Sequence, residues 1–187
     1  MNPITHFLTG WALANTVDLD RRDRAIVTVA GAIPDIDGIG IVPELLTSHL
    51  NHPWTWGSDY HHCLHNLAFA IAAAAAGSAL ATRRRMAAAL ALMSFHLHLL
   101  EDLAGSRGPD GYQWPIPYLM PFSHAWTLTW KHQWLIHAWP NIALTVVLLF
   151  AAFRLAWRRG FSPAEMVSEK ADRAFVAALR SRFPSAS

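Results

Sequence analysis

The sequence predicts an all-α, polytopic membrane helical bundle of about five spans, closed by an amphipathic C-terminal helix. Two observations carry that expectation. The 187 residues are 53% hydrophobic and only 15% charged, which is more apolar than an ordinary soluble domain. The apolar runs are separated by short arginine clusters, the mark of membrane topology rather than of a nucleic-acid patch, so no nucleic-acid partner is expected despite a pI near 9.0. The length suits one membrane-embedded domain, residues 1–160, with a cytoplasmic helix and tail over residues 161–187. The single Cys63 excludes an intrachain disulfide framework and a thiolate zinc finger. Met1 to Gly10 lacks the basic start of a cleavable signal peptide.

In order, Ile4 to Val17 reads as a first apolar helix with His6 near its start. It is short for a hydrocarbon core about 30 Å thick at about 1.5 Å per residue. Arg21, Arg22, Asp23 and Arg24 form a charged turn. Ala25 to Ile33 begins a second apolar segment that Pro34 interrupts and Asp35 and Asp37 close. Gly38 to Asp59 reads as a loop with a short amphipathic turn around Glu44 to Leu50. Leu67 to Ala81 is an alanine-rich run ended by Arg83, Arg84 and Arg85. Met86 to Leu103 is a fourth helix, apolar in its first half and bearing His96, His98, Glu101 and Asp102 in its second. Gly105 to Trp134 is a long loop, of a length often functional. Pro140 to Trp157 is the cleanest transmembrane segment, stopped by Arg158 and Arg159. Ser162 to Glu165 reads as the start of a surface helix running to about Arg182. The nine tryptophans read as an interfacial belt.

Threading five spans alternately puts the arginine clusters on one side, and only Arg107 and Lys131 on the other. The positive-inside rule makes the arginine side cytoplasmic and the N-terminus periplasmic, in the inner membrane. All eleven histidines fall on the outer half, together with Asp35, Asp37, Glu101 and Asp102. Paired carboxylates closing an apolar run are costly to bury without a positive partner, and a metal ion with histidines in its shell is the economical one. His61 and His65 are four apart, His62 and His65 three apart, and His98 and Asp102 four apart; each pair shares a helical face. Whether His61 or His62 is the ligand, and whether His96 or His124 joins, stays open. His49, His52, His132 and His137 read as interfacial residues.

Thr5-His6, Pro34-Asp35-Ile36-Asp37, a histidine box ending His65-Asn66, and His98 with Glu101 and Asp102 occur in that order. Together with Pro121-Phe122-Ser123, this set resembles the bacterial membrane-bound, metal-dependent hydrolases, some of them LexA-regulated. Where that family reads His-Arg, two residues, Thr-His-Ser, this chain has His61-His62-Cys63-Leu64-His65-Asn66. The order is more loosely similar to zinc-dependent phospholipase C and P1-type nucleases, a likeness that suggests phosphoester chemistry.

The expected protein is thus a metal-dependent hydrolase acting on a phosphoester or lipid-type substrate at the outer membrane face. His6, Asp35, Asp37, His61, His62, His65, His98 and Asp102 are the candidate ligands, and Asp37 or Glu101 the candidate proton acceptor. Imidazole with carboxylate favours zinc, with manganese possible. The partners are the lipid bilayer and a small-molecule or lipid substrate. The rival readings are a non-catalytic haem carrier, with His65 facing His96 or His98, and a metal transporter. Transport ranks lower because the inner halves carry no ionisable groups.

Overall fold

Side-chain caps set where three of the helices start. In the computed structural model, which describes residues 1–55 and 61–184, α1 (Pro3–Ala14) begins at Asn2, whose amide oxygen accepts from Thr5 N at 2.9 Å. Asp20 caps α2 (Arg21–Ala32) through Asp23 N at 2.8 Å. Pro34 then tightens the chain into a 3₁₀ helix (Ile33–Gly40) that runs into α3 (Ile41–Thr47). Asn66 caps α4 (Leu67–Leu80), accepting from Phe69 N at 2.9 Å. Helix α5 spans Arg84–Gly105, and a two-residue antiparallel pair, β1 (Ile116–Pro117) with β2 (Thr127–Leu128), folds the following segment. Helix α6 (Trp139–Arg159) stops at Gly160, whose φ of 84° is the left-handed cap that glycine adopts without strain.

Among the described residues, three stretches are long and apolar enough to cross a membrane: Arg21–Thr47, Arg84–Gly105 and Trp139–Arg159. The two other apolar helices of the expected bundle of about five are shorter. Helices α1, with 12 residues, and α4, with 14, reach about 18 and 21 Å, short of the hydrocarbon thickness. Both are truncated at the end where Asn2 and Asn66 cap them, close to His6 and His65. The expected loop after Gly38 also holds α3, with part of that loop (residues 56–60) outside the described residues. The expected helix from Ser162 is a 3₁₀ turn (Pro163–Met166) followed by α7 (Glu169–Arg182), because Ser168 supplies a second cap to Ala171 N.

Helix α2 lies between α1 and α5, while α4 packs on α5 and α6 on α1. The α1–α2–α5 crossing is close because it is glycine-lined. A Cβ on Gly31 would sit 2.6 Å from Ser94 Oγ and 3.2 Å from His6 O, and one on Gly10 would sit 2.9 Å from Thr28 O. Small residues at such crossings let backbones approach. Of the tryptophans, Trp11 is fully buried against Leu8 and Ala152 rather than interfacial. On α6, Ile142, Val146, Val147 and Phe150 stay exposed, an apolar stripe suited to lipid.

The two ends of the bundle differ in chemistry. At one end Asp23 accepts from Thr82 N and Arg83 N, both at 2.8 Å. There Arg24 also grips Glu165 with two hydrogen bonds of 2.7 Å while lying 3.8 Å over the Phe161 ring. That buried pair ties the tail to α2. The opposite end gathers the start of α1, the 3₁₀ helix, residues 61–66 and the last turns of α5.

Candidate metal centre

Helix α5 supplies two groups from one face, since His98 and Asp102 are one turn apart. His98 Nδ1 donates to Gly31 O at 2.8 Å. From the turn before α4, His65 Nδ1 bonds Asp37 Oδ2 at 3.3 Å. From the first turn of α1, His6 Nδ1 bonds Glu101 Oε2 at 2.6 Å, and Glu101 also accepts from the Thr9 hydroxyl. A carbonyl and ionised carboxylates only accept, so all three Nδ1 atoms carry a proton, and in its neutral form each imidazole then presents its lone pair at Nε2.

Those lone pairs converge. His98 Nε2 lies 3.1 Å from His65 Nε2 and 3.1 Å from Asp102 Oδ2. His65 Nε2 is 3.4 Å from the same oxygen, and His6 Nε2 is 3.2 Å from Asp102 Oδ1. Asp35 stands across, 3.8 Å from His98 Nε2 and 4.0 Å from the Nε2 atoms of His6 and His65. One ligand atom each from His6, Asp35, His98 and Asp102 lies within 4.8 Å of the others. Among the described residues, His6 Nε2 and Asp35 Oδ2 are buried without a hydrogen-bond partner. Acceptors facing acceptors in a buried site cost free energy unless a cation lies among them. The His/Asp cluster can therefore hold a metal ion, and imidazole with carboxylate oxygen is a donor set for zinc or manganese. On its other side Asp102 Oδ1 accepts from the Ser106 hydroxyl at 2.7 Å and from the Met1 amino group.

Two carboxylates expected among the ligands or bases are engaged differently. Both Asp37 oxygens are taken by His61 Nδ1 at 2.7 Å, Leu64 N at 3.0 Å and His65 Nδ1. Glu101 holds His6. Both act on the far nitrogen of a ligand imidazole, the arrangement that fixes ring orientation and tautomer at metal sites. His61 stands beside the cluster, its ring filling the space a Cβ on Gly38 would occupy. His62 packs on Trp114 with ring centroids 4.1 Å apart, its Nδ1 unpartnered. Burial first, then the neighbouring His65 and His61, pushes its pKa down to about 4, so it is neutral at physiological pH. His96 turns away to Leu92 O and the Tyr118 hydroxyl at 2.8 and 2.9 Å. His49, His52, His124, His132 and His137 are exposed.

Several supporting groups carry no signal of their own in sequence. The Gly31 carbonyl is backbone. Gln133, 2% exposed, donates from Nε2 to Asp102 O at 2.8 Å and accepts from Trp114 N at 2.7 Å, latching the long loop onto α5. The recurrence of small residues at Gly10, Gly31 and Ser94 was the one available hint of a close helix crossing.

Beside the cluster is a cavity of about 200 Å³ lined by Asp35, His61, Asp102, Arg107, Tyr112 and Trp114. The haem pairs expected at His65 leave no slot for a porphyrin, since the His65 and His98 centroids are 5.1 Å apart and His96 turns away to Tyr118. The cluster can hold a metal ion, and the space does not suit haem.

A family model described as YdjM inner membrane protein matches residues 1–178. The chain belongs to that family. No curated protein and no solved structure matches it.

Proposed function

We propose that this member of the YdjM inner membrane protein family is a metal-dependent hydrolase acting on a phosphoester or lipid-type substrate at membrane level. The carrying observation is the convergence of three imidazole Nε2 lone pairs on Asp102, with Asp35 opposite and every Nδ1 already committed. His6, His65, His98, Asp35 and Asp102 would hold the ion, zinc first and manganese second. Such an ion lowers the pKa of bound water toward neutrality and polarises the scissile group. Glu101, Asp37 and the Gly31 carbonyl keep the imidazoles aligned. His61, held by Asp37 Oδ1 and lining the cavity, is the chain's group for exchanging a proton with the leaving oxygen. The arginine bias supports a cytoplasmic tail and a site opening to the periplasmic side.

The test is elemental analysis of the purified protein together with turnover of generic phosphoesters before and after chelation. The expected result is stoichiometric metal, with activity lost on chelation and restored by zinc or manganese. A metal-free preparation with full activity overturns the reading.

A further inference from the structure

Arg107 lies just past Ser106, the C-cap of α5, five residues beyond Asp102, and lines the same cavity as Asp35 and Asp102. Its backbone is clamped on both sides, Arg107 N donating to Trp134 O at 3.1 Å and Arg107 O accepting from Ile136 N at 3.0 Å. The side chain is steadied by one bond, Nε to Gly111 O at 3.1 Å, where Gly111 turns the loop back with a φ of 88°. Among the described residues no carboxylate pairs with this half-buried cation, although Asp35 and Asp102 line the same cavity. Asp102 is engaged by Ser106, Met1 and the imidazoles, Asp37 and Glu101 by histidines, and Asp35 Oδ2 by no hydrogen-bond partner among the described residues. A positioned guanidinium with unused N–H groups costs desolvation unless an anion completes it. Its planar fork matches a phosphoryl oxygen pair.

We propose that Arg107 is the oxyanion-binding residue of this cavity, holding the phosphate group of an anionic substrate against the Asp35/Asp102 centre. This rests on the hydrolase reading above and narrows its substrate to one bearing a negative phosphoryl group. At about 200 Å³ the cavity is smaller than the roughly 300–1,000 Å³ of pockets that enclose a whole drug-sized ligand. It therefore takes a phosphate and its nearest atoms, walled by Tyr112 and Trp114, and leaves the remainder of the molecule outside. That remainder can be the acyl part of a lipid or the rest of a soluble phosphate ester.

The experiment compares the full-length wild type with Arg107→Gln and Arg107→Lys in detergent. It measures bound metal and the dissociation constants of inorganic phosphate and of short-chain phosphatidic acid, with short-chain phosphatidylcholine alongside. Expected is a loss of affinity on the order of ten-fold or more in Arg107→Gln, with metal unchanged and Arg107→Lys intermediate, since a charge-assisted fork is replaced by a neutral amide. Phosphatidic acid binding more tightly than phosphate identifies a lipid headgroup, and equal binding a soluble ester. Equal affinities in wild type and Arg107→Gln, or no binding of either probe by wild type, overturn the proposal. Binding is read without turnover, so Arg107-dependent phosphate affinity in a protein lacking metal would sustain this inference while sinking the hydrolase reading.

Discussion

Gly31 and His98 are joined by a 2.8 Å hydrogen bond from the imidazole Nδ1 to the glycine carbonyl. The same glycine, lacking a side chain, lets α2 approach Ser94 and the backbone of His6. One residue thus sets both the helix spacing and the tautomer of a candidate ligand.

Gly31→Ala should therefore damage packing and site together. The new Cβ meets Ser94 Oγ at 2.6 Å, and overpacking of this kind costs about 1–3 kcal/mol. Metal content should fall with the midpoint of thermal unfolding. Ser94 Oγ has no hydrogen-bond partner, so Ser94→Ala alone should be nearly silent and should restore part of both losses in the Gly31→Ala background. A double variant no better than Gly31→Ala would show that the helix approach is not what limits the site.

At His98 and Asp102 a mutant cycle separates a metal site from a buried ion pair. If the two residues only neutralise each other, replacing both by apolar residues should be neutral or stabilising. For a metal centre, metal and turnover should vanish in the double variant, and each single variant should lose nearly as much, because groups acting as a unit are strongly non-additive. Retained metal and full activity in the double variant would move the pair to the scaffold.

The outer carboxylates should behave differently from the inner ones. Asp35→Ala should remove a ligand atom and most of the bound metal. Asp37→Asn and Glu101→Gln, which remove no ligand atom but weaken the bonds to the imidazole Nδ1 atoms, should weaken metal affinity by about 10- to 100-fold. Chelator competition followed by elemental analysis ranks them, and equal losses in all three variants would contradict the two-layer arrangement.

Topology follows from the arginine bias. A reporter fused after Arg85 should read cytoplasmic, and one placed between Gly105 and Gly111 should read periplasmic. The reverse pattern would invert the orientation but leave the site residues gathered at one end of the bundle.

At the other end, the tail hangs on Arg24 and Glu165, both nearly buried. Removing either partner should leave an uncompensated charge costing about 3–5 kcal/mol, whereas replacing both by apolar residues of similar volume should cost little. Limited proteolysis of α7 in detergent reads the difference. Equal release in single and double variants would mean that packing at Phe161, not the ion pair, holds the tail.

By itself the sequence determined the class of the protein and the end of the bundle that carries its chemistry. Apolar runs and arginine clusters act within a few residues, so approximate helix positions and the segregation of charge are legible locally. Spacing likewise put His98 and Asp102 on one face. Tertiary structure alone decided which acids face the centre. Asp35 and Asp37 are two residues apart and look equivalent in sequence, yet the tight turn after Pro34 aims Asp35 at the three Nε2 atoms and Asp37 at the Nδ1 atoms of His61 and His65. Glu101 and Asp102 divide in the same way, because adjacent residues on a helix point about 100° apart. The Gly31 carbonyl on His98 and the place of Arg107 beside the site depend on distances between segments far apart in the chain, which no local pattern encodes.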